Sequence, residues 1–138
     1  MAESIKLEVV TPEKYVVSED ARIIVAPGEL GEFGVLPGHT PFLTSLQIGR
    51  LRYRDLKDEE HYIFIGGGFA ETQPGRVTIL AESAERSDDI DVERAEAALK
   101  RAEERLSSYE PGVDIARAKA AIMRARTRLR VAGVSEPD

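Results

Sequence analysis

The C-terminal part of the chain carries a helical pattern that limits which folds the chain can adopt. Between residues 92 and 132, apolar side chains recur at alternating steps of three and four, the spacing of one helix face and not of a strand. The pattern breaks at Pro111-Gly112, where proline cannot continue a helix and glycine readily adopts the turn. The sequence therefore predicts an antiparallel hairpin of two helices with facing apolar stripes. The stripes are Val92, Ala95, Leu99, Ala102, Leu106 and Tyr109 in the first helix, and Ile115, Ala118, Ile122, Ala125, Leu129 and Ala132 in the second.

Alanine fills five of these twelve stripe positions, so the contact between the helices is expected to be weak. The small side chain lets two backbones approach closely but buries little apolar area. At about 25 cal/mol per Å² of buried apolar surface, such a contact contributes little stability. The composition of the stripes favours a hairpin that can open.

The residues before the hairpin show strand patterns. Apolar and polar residues alternate from Ile5 to Val9, and an apolar run follows at residues 21–26. The stretch 27–42 holds too many glycines and prolines for a helix. Many short strands separated by turns predict a β-sandwich or flattened barrel, here of about ten strands. Turn signals stand at Thr11-Pro12, at Ile48-Gly49-Arg50, across residues 55–60 and at Gln73-Pro74-Gly75.

Two further features complete the predicted architecture. The run Gly66-Gly67-Gly68 predicts either a β-bulge or a close backbone crossing. Serine and aspartate, which favour linkers and helix caps, become frequent from Ser83 to Asp89. We therefore expect an α+β protein with a β-sandwich over residues 1–86 and a helical hairpin over residues 87–138.

Composition and charge exclude several classes of function. The chain has no cysteine, so it forms neither disulfides nor thiolate metal sites. No apolar run approaches the roughly 20 residues that a membrane-spanning helix needs, so no direct membrane insertion is expected. Residues 1–90 hold nine Lys/Arg against sixteen Asp/Glu, a net charge of −7, which argues against nucleic acid binding.

Candidate catalytic and metal-binding residues are sparse. His39 and His61 lie on different predicted elements without an evident ligand cluster beside either, so no metal site is expected. An alternative role for His39 is that of a simple turn residue. The glycine run lacks the form of a phosphate-binding loop, and nothing around Glu82 and Glu85 favours paired-carboxylate chemistry. The chain is not expected to be an enzyme.

The remaining candidate for a binding site is a group of eight arginines in residues 91–138. Arg94 and Arg101 are seven residues apart and share a helix face, as do Arg124 and Arg128, four apart. With Glu85 and Asp91 at the entrance of the hairpin, the four guanidinium groups could surround a polyphosphate, since arginine suits bidentate contacts to such groups. The alternative is that these arginines are solvated surface charges.

The run Gly31-Glu32-Phe33-Gly34-Val35-Leu36-Pro37-Gly38-His39 resembles the glycine-rich signature of the epsilon subunit of bacterial F-type ATP synthase. Residues 67–69, 77–81 and the helical hairpin are similar to the same family. The resemblance implies a non-catalytic central-stalk subunit that couples the gamma subunit to the c-ring, with Glu32 and His39 as c-ring contacts. It also implies a peripheral location on the cytoplasmic face of the bacterial plasma membrane.

The same resemblance implies a regulatory tail. The hairpin would switch between a folded form and a form extended towards the alpha and beta subunits, where it inhibits ATP hydrolysis. Some members of the family bind ATP on the folded form. No cofactor is required, and the need for Mg²⁺ is left open. By position, the implied ATP-binding residues are Glu85, Ile90, Asp91, Arg94, Ala95, Arg101, Arg124 and Arg128.

Alternatives remain for these residues and for the whole chain. Asp91 could serve only as a helix cap, Arg94 could pair with Glu93 or Glu96, and the arginines could pair with an acidic region of the beta subunit in the extended form. A free-standing β-sandwich adaptor would need no specificity in the glycine-rich loop. An ATP-hydrolysing enzyme would need a general base and a carboxylate metal site that the sequence lacks.

Overall fold

The computed structural model describes residues 4–108 and 110–133. The chain divides into two compact units, Met1–Arg86 and Ser87–Asp138, called the sandwich and the hairpin below. The sandwich contains β1 (Ile5–Val10), β2 (Tyr15–Gly28), β3 (Gly31–Val35), β4 (Phe42–Asp55), β5 (Glu60–Gln73), β6 (Arg76–Ala81) and β7 (Ala84–Arg86). The hairpin contains a short 3-10 turn (Ser87–Asp89), α1 (Val92–Ser107) and α2 (Ile115–Val131).

Five strands of the sandwich form a closed hydrogen-bonded circuit. The order is β1-β6-β5-β4-β2, and β2 pairs back with β1. The β1–β6 pairing is parallel and the other pairings in the circuit are antiparallel. The expected alternation in β1 is confirmed, because Ile5, Leu7 and Val9 are fully buried in the core. Closure leaves few free strand edges, which favours a rigid unit.

The predicted β-sandwich is confirmed, but its count of about ten strands is wrong, since the described residues form seven. The turn predicted at Ile48-Gly49-Arg50 does not exist, and Gly49 lies inside the continuous strand β4. A Cβ at Gly49 would lie 2.6 Å from the Cβ of Pro27 on the neighbouring strand. The glycine is therefore there for close strand packing and not for a reversal of the chain.

The glycine run at 66–68 is a close backbone crossing inside β5. Gly68 has a φ of +139°, and a Cβ there would overlap the carbonyl oxygen of Leu80 and lie 2.9 Å from the Cα of Ala81. A Cβ at Gly66 would overlap the hydroxyl of Ser83. The strand passes from its pairing with β6 to its pairing with β7 at this point, which only residues without side chains permit.

The helical hairpin has the predicted antiparallel order. The N-terminal half of α1 packs on the C-terminal half of α2, and Glu103 lies 3.8 Å from Arg126 further along. The apolar cluster between the helices is built from Ala95, Leu99, Ala125 and Leu129, with Val92, Ala98 and Ile122 packed against it. Each helix has its own cap, since the carboxylates of Asp91 and Asp114 accept hydrogen bonds from the backbone at Arg94 and Arg117.

The predicted stripe is not buried along its whole length. Ile115, in the first turn of α2, is 57% exposed and does not belong to the cluster between the helices. Tyr109 lies outside the described residues.

Candidate functional site

The arginines singled out in the sequence lie on one flank of the hairpin. Glu103 of α1 and Arg126 of α2 meet on one side of the contact between the helices. By helix periodicity, Arg94 and Arg101 lie on the side of α1 away from Glu103. Arg124 and Arg128 likewise lie on the side of α2 away from Arg126. We call these four residues the arginine flank.

Three of the four arginines on this flank have no acidic partner among the described residues. Among the residues that the structure describes, no carboxylate lies within 4.0 Å of the guanidinium groups of Arg94, Arg101 or Arg124. The alternative pairing of Arg94 with Glu93 or Glu96 is therefore not seen. Repulsion among like charges on one face disfavours the folded hairpin, and a bound anion would relieve that repulsion.

Four of the implied ATP-binding residues, called the motif below, surround the start of α1: Ile90, Asp91, Arg94 and Ala95. All of them except Arg94 have structural roles. The Asp91 carboxylate accepts a hydrogen bond of 3.1 Å from the backbone N–H of Arg94 and caps α1, so the helix-cap interpretation has direct support. Ile90 is buried, and Ala95 is part of the apolar cluster between the helices. Arg94 is exposed. Glu85 lies on β7 of the sandwich, opposite Phe64 of β5.

The glycine-rich loop forms the second candidate site. Glu32 is exposed on β3, opposite Pro27. His39 closes a turn in which its N–H donates to the carbonyl of Leu36 at 3.1 Å, and its ring lies edge-on to Phe42 at 5.3 Å. His39 therefore does lie in a turn, and its ring Nδ1 is 2.8 Å from the carbonyl oxygen of Thr40.

A polar network that the sequence did not reveal lies where β2, β4, β5 and β7 meet. Arg86 donates to Glu19 at 3.0 Å, to the carbonyl of Val16 at 3.0 Å and to the Tyr53 hydroxyl at 3.4 Å. Burial raises the pKa of Tyr53 to about 12, although Arg86 acts in the opposite direction. The ring of His61 stacks on Tyr53 at 4.8 Å. These contacts fasten the last strand of the sandwich to β2.

The expectation that no ligand cluster lies beside His61 is wrong. Its Nε2 lies 2.8 Å from the Asp55 carboxylate, and donor atoms of Glu19, Asp55 and His61 all lie within 4.8 Å of one another. The hydrogen bond from His61, helped by backbone N–H groups of Glu59 and Lys57, holds the pKa of Asp55 below its usual value against the effect of burial. Since the Arg86 guanidinium already neutralises Glu19, an ion network accounts for this cluster without a metal.

Comparison with known proteins covers both units. Residues 4–87 match the family described as "ATP synthase, Delta/Epsilon chain, beta-sandwich domain", and residues 88–133 match "ATP synthase, Delta/Epsilon chain, long alpha-helix domain". The chain belongs to the ATP synthase delta/epsilon family. The family explains the coexistence of a closed sandwich and a two-helix tail in one short chain.

Curated relatives in this family are named ATP synthase epsilon chain. That of Desulfosudis oleivorans is 64% identical over 108 residues, covering 78% of this chain and 81% of the relative. That of Nitratidesulfovibrio vulgaris strain Hildenborough is 53% identical over 133 residues, covering 96% and 98%. The resemblance to bacterial epsilon subunits is thereby confirmed.

Chains in solved ATP synthase structures share this fold. A chain in the Euglena gracilis mitochondrial ATP synthase (OSCP/F1/c-ring) superposes with a TM-score of 0.80 at 25% identity, covering 92% of this chain and 80% of that one. A chain in the Tetrahymena thermophila central stalk/c-ring structure gives 0.58 at 16% identity, which supports the fold alone. Within the described residues, neither helix combines the length and apolar character needed to cross a bilayer.

Proposed function

We propose that this chain is the epsilon subunit in the central stalk of a bacterial rotary ATP synthase, a non-catalytic subunit that links gamma to the c-ring. The observation that carries the proposal is the match of both units to the family, in order and over residues 4–133. The complex would place the chain at the cytoplasmic face of the plasma membrane, as a peripheral component. The alpha and beta subunits become partners only when the tail is extended.

The sandwich is suited to transmitting torque. Its closed circuit of strands and the Arg86 network resist deformation, which favours transmission of a load from one face to the other. The glycine-rich loop presents Glu32 and the ring of His39 as c-ring contacts. A loop held in place by its own hydrogen bonds loses little freedom on binding, which favours a stable contact.

A pull-down tests the central-stalk role against a free-standing adaptor. The tagged chain is co-expressed with the other ATP synthase subunits from the same organism. We expect gamma and the c subunit to co-purify with it. The measurement is the composition of the purified material. Recovery of an unrelated protein without gamma or c would contradict the stalk role and favour the adaptor.

The hairpin is suited to regulation. The cluster between its helices is centred on two alanines and two leucines, which is small for a contact between two helices of this length. Each helix is capped by its own aspartate, so each can remain helical when the two separate. We propose that separation gives an extended form that inhibits ATP hydrolysis.

ATP is the proposed ligand of the folded hairpin. The arginine flank combines side chains from both helices, so it exists as a unit only while the hairpin is folded. A ligand that binds one of two forms stabilises that form. ATP would therefore hold the tail folded and relieve inhibition, with Glu85 and the motif residues as further candidate contacts and with the need for Mg²⁺ open.

Replacing an arginine of the flank should weaken ATP binding to the isolated chain. For Arg94→Ala or Arg124→Ala we expect the Kd to rise by about tenfold or more, because each change removes a charge-assisted hydrogen bond. The measurement is calorimetric titration with ATP, with and without Mg²⁺. Arg130→Ala is the matched control, since it removes a cation from α2, the helix of Arg124, on the face of Arg126 and away from the arginine flank.

The outcome separates ligand binding from the rest of the proposal. Absence of ATP binding by the unmodified chain would remove the nucleotide role and leave the stalk role standing. An equal loss of affinity in Arg130→Ala would show that the effect is one of general charge.

A further inference from the structure

The hairpin also carries a groove on the side opposite the arginine flank. It has a volume of about 680 Å³, within the range of about 300–1,000 Å³ that is usual for small-molecule sites. Residues of both helices line it. The apolar side chains are Leu106, Ile122 and Met123, and the cationic ones are Lys119, Arg126 and Arg130.

The charges around the groove favour an anionic ligand. Three cations face one carboxylate in the lining, that of Glu103, which lies 3.8 Å from Arg126. In the part of the chain that the structure describes, Lys119 and Arg130 have no carboxylate within 4.0 Å. A negative headgroup beside one of these side chains would offset part of the excess positive charge of the groove.

The floor of the groove favours a ligand with an apolar body. Met123 is 52% exposed, and methionine adapts its shape to varied apolar ligands. The lining residues of α2 from Lys119 to Arg130 span about 16 Å at 1.5 Å per residue, the scale of a single acyl chain. Three large apolar side chains are too few for a stable protein interface, which buries about 1,000 Å² or more.

We propose that this groove binds a single-chain fatty-acid carboxylate, with the chain on Leu106, Ile122 and Met123 and the headgroup at Lys119. Because both helices line the groove, the ligand would bind only the folded hairpin and stabilise it. The binding does not depend on the proposed function. The regulatory consequence does rest on the proposed function: like ATP, the bound ligand would relieve the inhibition of ATP hydrolysis.

Titration of the full chain with decanoate tests the binding. We expect decanoate to displace the fluorescent anion 1-anilinonaphthalene-8-sulfonate and to raise the Tm of the helical circular dichroism signal. Octanoate, shorter by two methylene groups, should bind up to about sixteenfold more weakly, at about fourfold per buried methylene. The uncharged decanol should bind more weakly than decanoate.

A matched pair of charge reversals locates the site. Lys119→Glu should raise the Kd for decanoate by about fivefold, whereas Arg117→Glu, on the same helix outside the groove, should leave it unchanged. Circular dichroism of both variants verifies that the helices still form, and Met123→Glu gives a second test within the apolar floor.

Three outcomes would overturn the proposal. They are equal weakening of decanoate binding by the two charge reversals, binding that is independent of chain length, and binding of an acidic helical peptide in place of decanoate. Decanoate binding without a change in hydrolysis by the complex would contradict only the regulatory consequence.

Discussion

A synthase assembled with the chain truncated before Asp91 should hydrolyse ATP faster than one with the full chain. We expect the rate of hydrolysis to increase by about fivefold or more. An increase of this size corresponds to a coupling free energy within the usual range for regulation. The truncation removes α1 and α2, so the proposed extended form cannot arise. The measurement is the rate of ATP hydrolysis by the purified complex at saturating ATP.

The same truncated complex should remain coupled. All strands and the core of the sandwich lie before Ser87, and the Arg86 network that fastens the last strand is retained. ATP-driven proton pumping in vesicles measures this coupling. Unchanged hydrolysis would contradict the inhibitory role, while loss of pumping with normal assembly would contradict the separation of coupling from regulation.

Gly68→Ala should strongly destabilise the sandwich. The added Cβ would meet the backbone at Leu80 and Ala81, and the residue would have to keep a φ of +139°. Backbone strain and steric overlap together should cost about 3–5 kcal/mol. For a unit of this size, that lowers the Tm of the β-sheet signal by roughly 15 °C or more.

Gly75→Ala is the control for this substitution. Gly75 lies in the turn between β5 and β6, and a Cβ there would meet no atom within 4 Å. The Tm of the β-sheet signal of Gly75→Ala should be close to that of the unmodified chain. A Gly68→Ala variant as stable as Gly75→Ala would show that the strands separate easily at the crossing, which would also contradict a rigid sandwich.

Features set by neighbours in sequence could be predicted from the sequence. The helical stripes depend on spacings of three and four, and Ala95, Leu99, Ala125 and Leu129 are buried as that spacing requires. The cap at Asp91 can be predicted because the capping hydrogen bond joins residues only three apart in the sequence. The close crossing at Gly68 was one of two alternatives for a glycine run, and the structure decides between them.

Features set by strand pairing could not be predicted in this way. In the sequence, Gly49 looks like a turn residue. The neighbour that requires a glycine there, Pro27, lies on another strand. Arg86 and Glu19 are 67 residues apart, and His61 meets Glu19 only because β2, β4 and β5 are neighbours. No local pattern in one sequence encodes such pairs, whereas the resemblance to a known family supplied the function that periodicity alone did not.

The parallel pairing of β1 with β6 has a consequence for synthesis of the protein. The first strand finds one partner early in β2, but its other edge stays open until residues 76–81 have left the ribosome. A nascent chain of intermediate length therefore exposes an unpaired edge that neighbouring chains or chaperones can bind. The two helices, whose contacts are local, can form as soon as they emerge.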